Sequence, residues 1–211
     1  MPDNEDQRSA VRTQARTRLA RRAVIDAARD LFIDGGYALT TVAAISKRAD
    51  VPEPTVYRLF SSKVGILKAL LDVSIAGDDE PIAIPQRPEV ASLLDESDPL
   101  KVLAGFAAIT TQINRRIHGI YHVLSRAADS DAEATALLAA LDEQRSRGQA
   151  RIVESLHRRH KLRTGLRRRE AADIVHALMS PQFYRLLVID RGWDPERFQQ
   201  WATEALIQHL T

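Results

Sequence analysis

Apolar residues recur at three- and four-residue intervals along almost the whole chain and nowhere alternate long enough for a half-buried strand. Across 18–34, Ala20, Val24, Ala27, Ala28, Leu31 and Phe32 fall on one stripe of a helix that Gly35-Gly36 ends. Thr40 and Thr41 offer an N-cap to a short second helix, VAAISKRA, with Val42 and Ile45 inward. After a break at Asp50-Val51 comes ADVPEPTVYRLFSSK, in which Pro52 and Pro54 open a third helix. Proline suits a first turn because the amide groups there have no intrahelical partner. This helix runs to about Phe60, with Val56, Leu59 and Phe60 on its apolar side and Glu53, Thr55, Tyr57 and Arg58 turned outward. Ser61-Ser62 then caps a fourth helix from Lys63, carrying Ile66, Leu67, Leu70 and Leu71 inward.

The pattern changes at AGDDEPIAIPQRPEV, Ala76 to Val90, whose three prolines predict a hinge or linker. Asp98-Pro99 opens a long helical region in which Phe106, Thr110, Ile113, Ile117 and Tyr121 recur every three or four residues. Another helix starts at Asp131 and ends on the cations Arg158, Arg159, His160 and Lys161, where a helix dipole is negative. Glu170 to Ser180 reads as one helix, Pro181 starts the next behind a Ser180 cap, and Gly192, Asp194 and Pro195 mark a stop, a cap and a new start. These closing helices carry Val175, Met179, Phe183, Leu186, Leu187, Phe198, Trp201, Ala205, Leu206 and Leu210. The fold expected is all-α.

Composition narrows the function classes. The 211 residues are 45% apolar, enough for a real core. Cysteine is absent, which removes disulfides and thiolate metal sites. The opening MPDNEDQRSA lacks the basic-then-apolar order of a signal peptide, and no uncharged apolar run reaches membrane-spanning length, so the expected location is cytoplasmic, with no membrane partner. The formal net charge of +2 says little, but between Gln7 and Ile25 the charged residues are Arg8, Arg12, Arg16, Arg18, Arg21 and Arg22. Such an arm reads either as a solvated tail or as a phosphate-seeking extension beside a DNA-binding helix. His118 with His122, and His157 with His160, have helical metal-pair spacing but no obvious third ligand, so neither metal nor cofactor is expected. No G-x-S-x-G, phosphate-cradling glycine loop or paired nucleophile occurs, and no enzymatic activity is expected.

Two short helices joined by a tight turn, the second presenting Thr, Tyr and Arg, form a helix-turn-helix of the kind that enters a major groove. From about Arg18 to Leu71 the order of RRAVIDAARDLFIDGGY, the Thr40-Thr41 cap, VAAISKRADV and TVYRLFSSK resembles the TetR-type transcriptional repressors. That resemblance implies phosphate contacts by Thr41, Tyr57 and Lys63 and base-edge contacts by Glu53, Pro54 and Thr55. Arg58 is expected to join the phosphate contacts, because Leu59 stands where the family usually has a His or Tyr and cannot bond a phosphate; Arg18 is included from the arm. Asp50 replaces the usual turn glycine, which its tolerance of left-handed backbone allows.

The domain expectation is a flexible arginine-rich arm over 1–17, a three-helix DNA-binding domain over 18–65 and a helical effector-binding and dimerisation domain over 66–211. The 106–121 stripe is first of all core. A ligand reading adds Thr110, Asn114, Tyr121 and His122 as polar groups beside Phe106, Ile113 and Ile117, and the family resemblance implies a small-molecule effector there. The closing helices supply either monomer core or, as in the family, a homodimer interface through Met179, Phe183, Leu187, Phe198, Trp201 and Leu206. A twofold dimer implies double-stranded DNA with a palindromic operator. The alternative is a helical adaptor whose N-terminal domain binds protein.

Overall fold

The computed structural model describes residues 3–78 and 84–211, with side chains described from Gln14 onward except at Pro85. Among the described residues there are helices and no strands. They are α1 (Asp3–Leu39), α2 (Val42–Ala49), α3 (Glu53–Phe60), α4 (Lys63–Ala76), α5 (Pro88–Asp95), α6 (Pro99–Ala127), α7 (Ala132–Arg158), α8 (Arg168–Leu178), α9 (Pro181–Tyr184) and α10 (Pro195–Leu210). The chain divides into two compact units, Met1–Asp72 with His122–Leu137, and Val73–Tyr121 with Leu138–Thr211. Helices α4, α6 and α7 each supply residues to both. The first unit thus takes in residues 122–137, far along the chain from the 18–65 span expected to form the reader.

Local signals explain the boundaries in the first unit. Helix α1 loses helical geometry at Gly36, which takes φ +74°, a conformation open to glycine. Thr40 Oγ1 donates to the carbonyls of Leu31 and Gly36 at this end, so Thr41 alone caps α2, its hydroxyl accepting from the Ala44 amide at 3.0 Å. Asp50 adopts φ 52°, ψ 41°, and its amide donates to the Ser46 carbonyl, the left-handed stop expected of it. Pro52 precedes α3 and its carbonyl accepts from Thr55 and Val56. Ser62 caps α4 by accepting from the Gly65 amide. A Cβ at Gly65 would lie 1.8 Å from the Phe60 carbonyl oxygen, so glycine is required where α4 passes the end of α3. The core beneath holds Val24, Ala28, Phe32, Ile45, Val56, Ile66, Leu67 and Leu70, each nearly or wholly inaccessible.

Two expectations change here. Helix α1 begins at Asp3, so the stretch 3–17, expected as a flexible arm, is helical; it contains neither Gly nor Pro to interrupt it. The side chains of Arg8 and Arg12 lie outside the described residues, as do residues 79–83 of the expected linker. Beyond them the linker is already ordered, with a 3₁₀ turn at Ile84–Gln86 and α5 from Pro88.

The second unit buries Leu103, Phe106, Ala107, Ile152, Val153, Leu156, Val175, Met179, Tyr184, Phe198, Leu206 and Leu210 in one cluster. Tyr184 meets Phe198 edge-on at 5.1 Å and Phe183 stacks on Trp201 at 5.4 Å. Ser180 caps α9 by accepting from Phe183, and a wide helical turn at Arg185–Ile189 follows. Gly192, at φ +69°, and Pro195 then reset the chain for α10. The end of α4 is clamped in this unit: Arg116 donates to the Ser74 and Ile75 carbonyls, both at 2.9 Å.

Candidate nucleic-acid interface and cavity

Helix α3 has one buried side, Val56 and Phe60, and one open side. Glu53, Pro54 and Arg58 are exposed, Thr55 is half-buried, and Tyr57 is 49% exposed, high for so large a ring. Thr41 and Arg18 are exposed as well. The outer face of α3 therefore presents a hydroxyl, a phenol and a guanidinium on one short helix.

Lys63 is placed differently. Its Nζ donates to the carbonyls of Tyr37 at 3.0 Å and Thr40 at 3.1 Å, and sits 3.9 Å from the centre of the Tyr37 ring. These are carbonyls at the end of α1, where a cation satisfies groups that have no intrahelical partner. Two of its three donors are thus spent inside the unit as a helix cap, which leaves one for the phosphate contact that the family resemblance implies. Burial pulls this ammonium below its ordinary pKa while Asp131 raises it. Tyr37 donates its hydroxyl to Asp131 at 2.9 Å, and Asp131 in turn accepts from the Glu133 and Ala134 amides at the start of α7. Burial first, and the bond to Asp131 second, push the Tyr37 phenol upward. The Asp131 carboxyl is held below its usual range, chiefly by the Ala134 amide and then by the Tyr37 hydroxyl. Lys63, Tyr37 and Asp131 form one polar knot that fastens α1, α4 and the head of α7.

The second unit contains a cavity of about 290 Å³. Phe106, Thr110, Ile113, Asn114, Ile117 and Tyr121 line it, as the ligand reading of the stripe expects. His122 does not. One residue beyond Tyr121 it is rotated by roughly 100° about the helix axis, away from the stripe, and it belongs to the first unit. The facing wall was not anticipated: it comes from α7, through Leu141, Gln144, Arg145, Gly148, Gln149 and Ile152. Amid DEQRSRGQARIVES these residues look like a solvated face, but their spacing of three and four was a legible signal. Tyr121 accepts from Gln182 at 2.9 Å and Asn114 donates to the Met179 carbonyl at 3.3 Å. Among the described residues no group of three or more His, Asp or Glu side chains is arranged to hold a metal.

The residues expected at a dimer interface fall into two sets. Met179, Phe198 and Leu206 are wholly buried in the unit's own core, which accounts for them without a second copy. Phe183, Leu187 and Trp201 are partly buried, while neighbouring Leu186 and Ile189 are 45% and 43% exposed.

Residues 24–70 match the family described as bacterial regulatory proteins, tetR family. The helix-turn-helix is a TetR-family domain. Over 48 residues the chain is 42% identical to the uncharacterized HTH-type transcriptional regulator YvkB of Bacillus subtilis, a match covering 23% of this chain and about a quarter of that protein, 25%. Likeness in fold extends over more of the chain. NalD of Pseudomonas aeruginosa, the secondary repressor of the MexAB-OprM multidrug efflux pump, superposes with a TM-score of 0.68 at 22% identity, covering 91% of this chain and 96% of that one. FadR from Bacillus subtilis in complex with stearoyl-CoA gives 0.66 at 18% identity, covering 90% and 98%. At such identities the likeness is one of fold. Among the described residues no helix is long and apolar enough to cross a membrane.

Proposed function

We propose that the chain is a homodimeric transcriptional repressor that binds a palindromic operator through α3 and leaves it when a small molecule fills the cavity of the second unit. The observation that carries this is the open face of α3, with Tyr57 and Arg58 outward on a helix otherwise anchored by Val56 and Phe60. Hydroxyl, phenol and guanidinium groups suit phosphates, and the first turn of such a helix is where base edges are read. Thr41, Tyr57, Arg58 and Arg18 take the phosphates; Glu53, Pro54 and Thr55 sense bases. Lys63 acts indirectly, by fixing the end of α1. Ligand response and repression are supported by the similar architecture of NalD and of stearoyl-CoA-bound FadR.

Dimerisation uses the partly exposed Phe183, Leu186, Leu187 and Ile189 instead of the buried set. Two linked readers engage together with a gain from effective concentration. Ligand control works through α4, which begins at Lys63 and carries Ile75 to the cavity wall.

Selection of bound fragments from genomic DNA tests the reading, and a palindromic consensus is the expected result. With the two cations Arg18 and Arg58 on phosphates in each subunit, log affinity should fall against log salt with a slope on the order of −4. Replacing Tyr57 by Phe should weaken all sequences alike, whereas a change at Thr55 should reorder preference among operator variants. No enrichment of any sequence, with binding to a protein partner through α3 instead, would establish the adaptor reading.

A further inference from the structure

The cavity has one polar corner, and its hydrogen bonding is incomplete. Arg145 Nη1 donates to the His176 carbonyl at 2.9 Å and Nη2 lies 2.6 Å from His176 Nε2. A guanidinium only donates, so Nε2 must accept, and the imidazole proton sits on Nδ1. Nδ1 is 2.9 Å from Gln149 Oε1, which therefore accepts. This chain of roles fixes the Gln149 amide: its oxygen is turned to His176 and its NH₂ is turned away. Gln149 is 4% exposed, and neither its Nε2 nor the buried Arg145 Nε has a partner. Both residues line the cavity; His176 does not.

Two buried donors without acceptors are costly, and a ligand that supplies the acceptor recovers that cost. The surrounding charge indicates which kind of acceptor. Arg145, Arg147 and Arg151 line the cavity, and among the described residues no Asp or Glu does. Asp142 lies 3.4 Å from Arg145 and Glu143 lies 3.8 Å from Arg147, so two of the three cations have a carboxylate beside them and the balance at the wall stays positive. The other walls, Ile75, Phe106, Ile109 and Ile113 among them, are apolar. Water occupies about 30 Å³ in the liquid, so the space suits a guest on the order of ten non-hydrogen atoms.

We infer that the effector is a medium-chain amphiphilic carboxylate, its apolar body between α6 and α7 and its head accepting from Gln149 Nε2 and Arg145 Nε. This rests on reading the cavity as the effector site and adds the chemistry of the guest. Burial, with Arg145 beside it, keeps His176 below its ordinary pKa, in keeping with the neutral ring the bonding requires.

The test is calorimetric titration of the full chain, without DNA, using decanoate, decan-1-ol and decylamine. Decanoate should bind about ten- to a hundredfold more tightly than decan-1-ol, the range for hydrogen bonds to a charged group, and decylamine more weakly than either. Gln149→Met, close in volume, should erase most of that preference while the alcohol still binds. Gly148→Phe should block all three, since a Cβ there meets nothing within 4 Å and the ring has open space to fill. Thermal unfolding confirms that each variant is folded. Equal affinity for acid and alcohol, or full preference retained in Gln149→Met, would overturn the headgroup assignment and leave the cavity as an effector site for another chemistry. Binding of none of the three probes overturns both. An electrophoretic shift on selected DNA reads operator binding separately, so failure of the repressor reading is distinguishable from either result.

Discussion

The polar cluster around Tyr37 in the first unit closes on itself, where the cluster around Gln149 in the second leaves two donors open. Around Tyr37, the Lys63 ammonium, the phenol and the Asp131 carboxylate each have a partner inside the unit, and the result is a rigid seat for α3. Around Gln149, a comparable network of Asp142, Arg145, His176 and Gln149 ends on two donors that reach no acceptor. A completed network favours a fixed shape, and an incomplete one beside a cavity favours a guest. Under the proposed function, the difference gives geometry to one unit and sensing to the other.

The most severe way to probe that division is to damage each core in turn. Phe32→Ala in the first unit and Phe198→Ala in the second remove rings that are fully buried, and each should cost about 3–5 kcal/mol. If the units are as distinct as their separate cores suggest, chemical denaturation followed by Trp fluorescence, whose reporters Trp193 and Trp201 both lie in the second unit, should register Phe198→Ala more strongly than Phe32→Ala. Identical shifts would mean one cooperative body.

Next in size is Lys63→Met. Loss of a charged donor to two carbonyls should lower stability by about 2 kcal/mol in the absence of DNA. A residue serving only as a phosphate contact would leave the DNA-free melting temperature unchanged, so the same measurement separates the two roles.

Tyr37→Phe and Asp131→Asn are milder. Removing the phenol hydroxyl should cost about 1 kcal/mol, and the pair combined should be less than additive because they share a bond. Asp131 also gives a pH signature. Its folded pKa is depressed below the ordinary 3.8, so its contribution is fully present above that value and is lost as pH falls through the lower, folded value. The stability gap between the native chain and Asp131→Asn should therefore be constant near neutrality and narrow below about pH 4.

The smallest effect has the opposite sign. Gly148→Ala lies within α7 with nothing near its Cβ, so it should stabilise the helix by up to about 1 kcal/mol while reducing the cavity. A destabilised variant would show that the space is less open than the wall suggests.

How much was legible follows the range of the interactions. Pro52 ahead of α3, Ser180 ahead of α9, the left-handed Asp50 and the turn at Gly36 are all decided by neighbours within one turn, and all stand where local signals put them. The cavity face of α6 was readable too, because a stripe needs only the helical period. The ligand reading includes His122 for its polarity, against its register, and the register prevails.

By itself the chain's order of residues determined an all-helical protein with a TetR-type helix-turn-helix and the outward identity of Glu53, Tyr57 and Arg58, since capping, proline placement and periodicity act over a few residues. Folding in space decided what sequence separation conceals. Lys63 meets a carbonyl 26 positions away and so becomes a cap; Gln149 meets His176 at a separation of 27 and is thereby oriented; Met179, Phe198 and Leu206 find one another and leave the surface. A donor's partner, or its lack of one, is a property of the assembled neighbourhood, and no local pattern of residue types contains it.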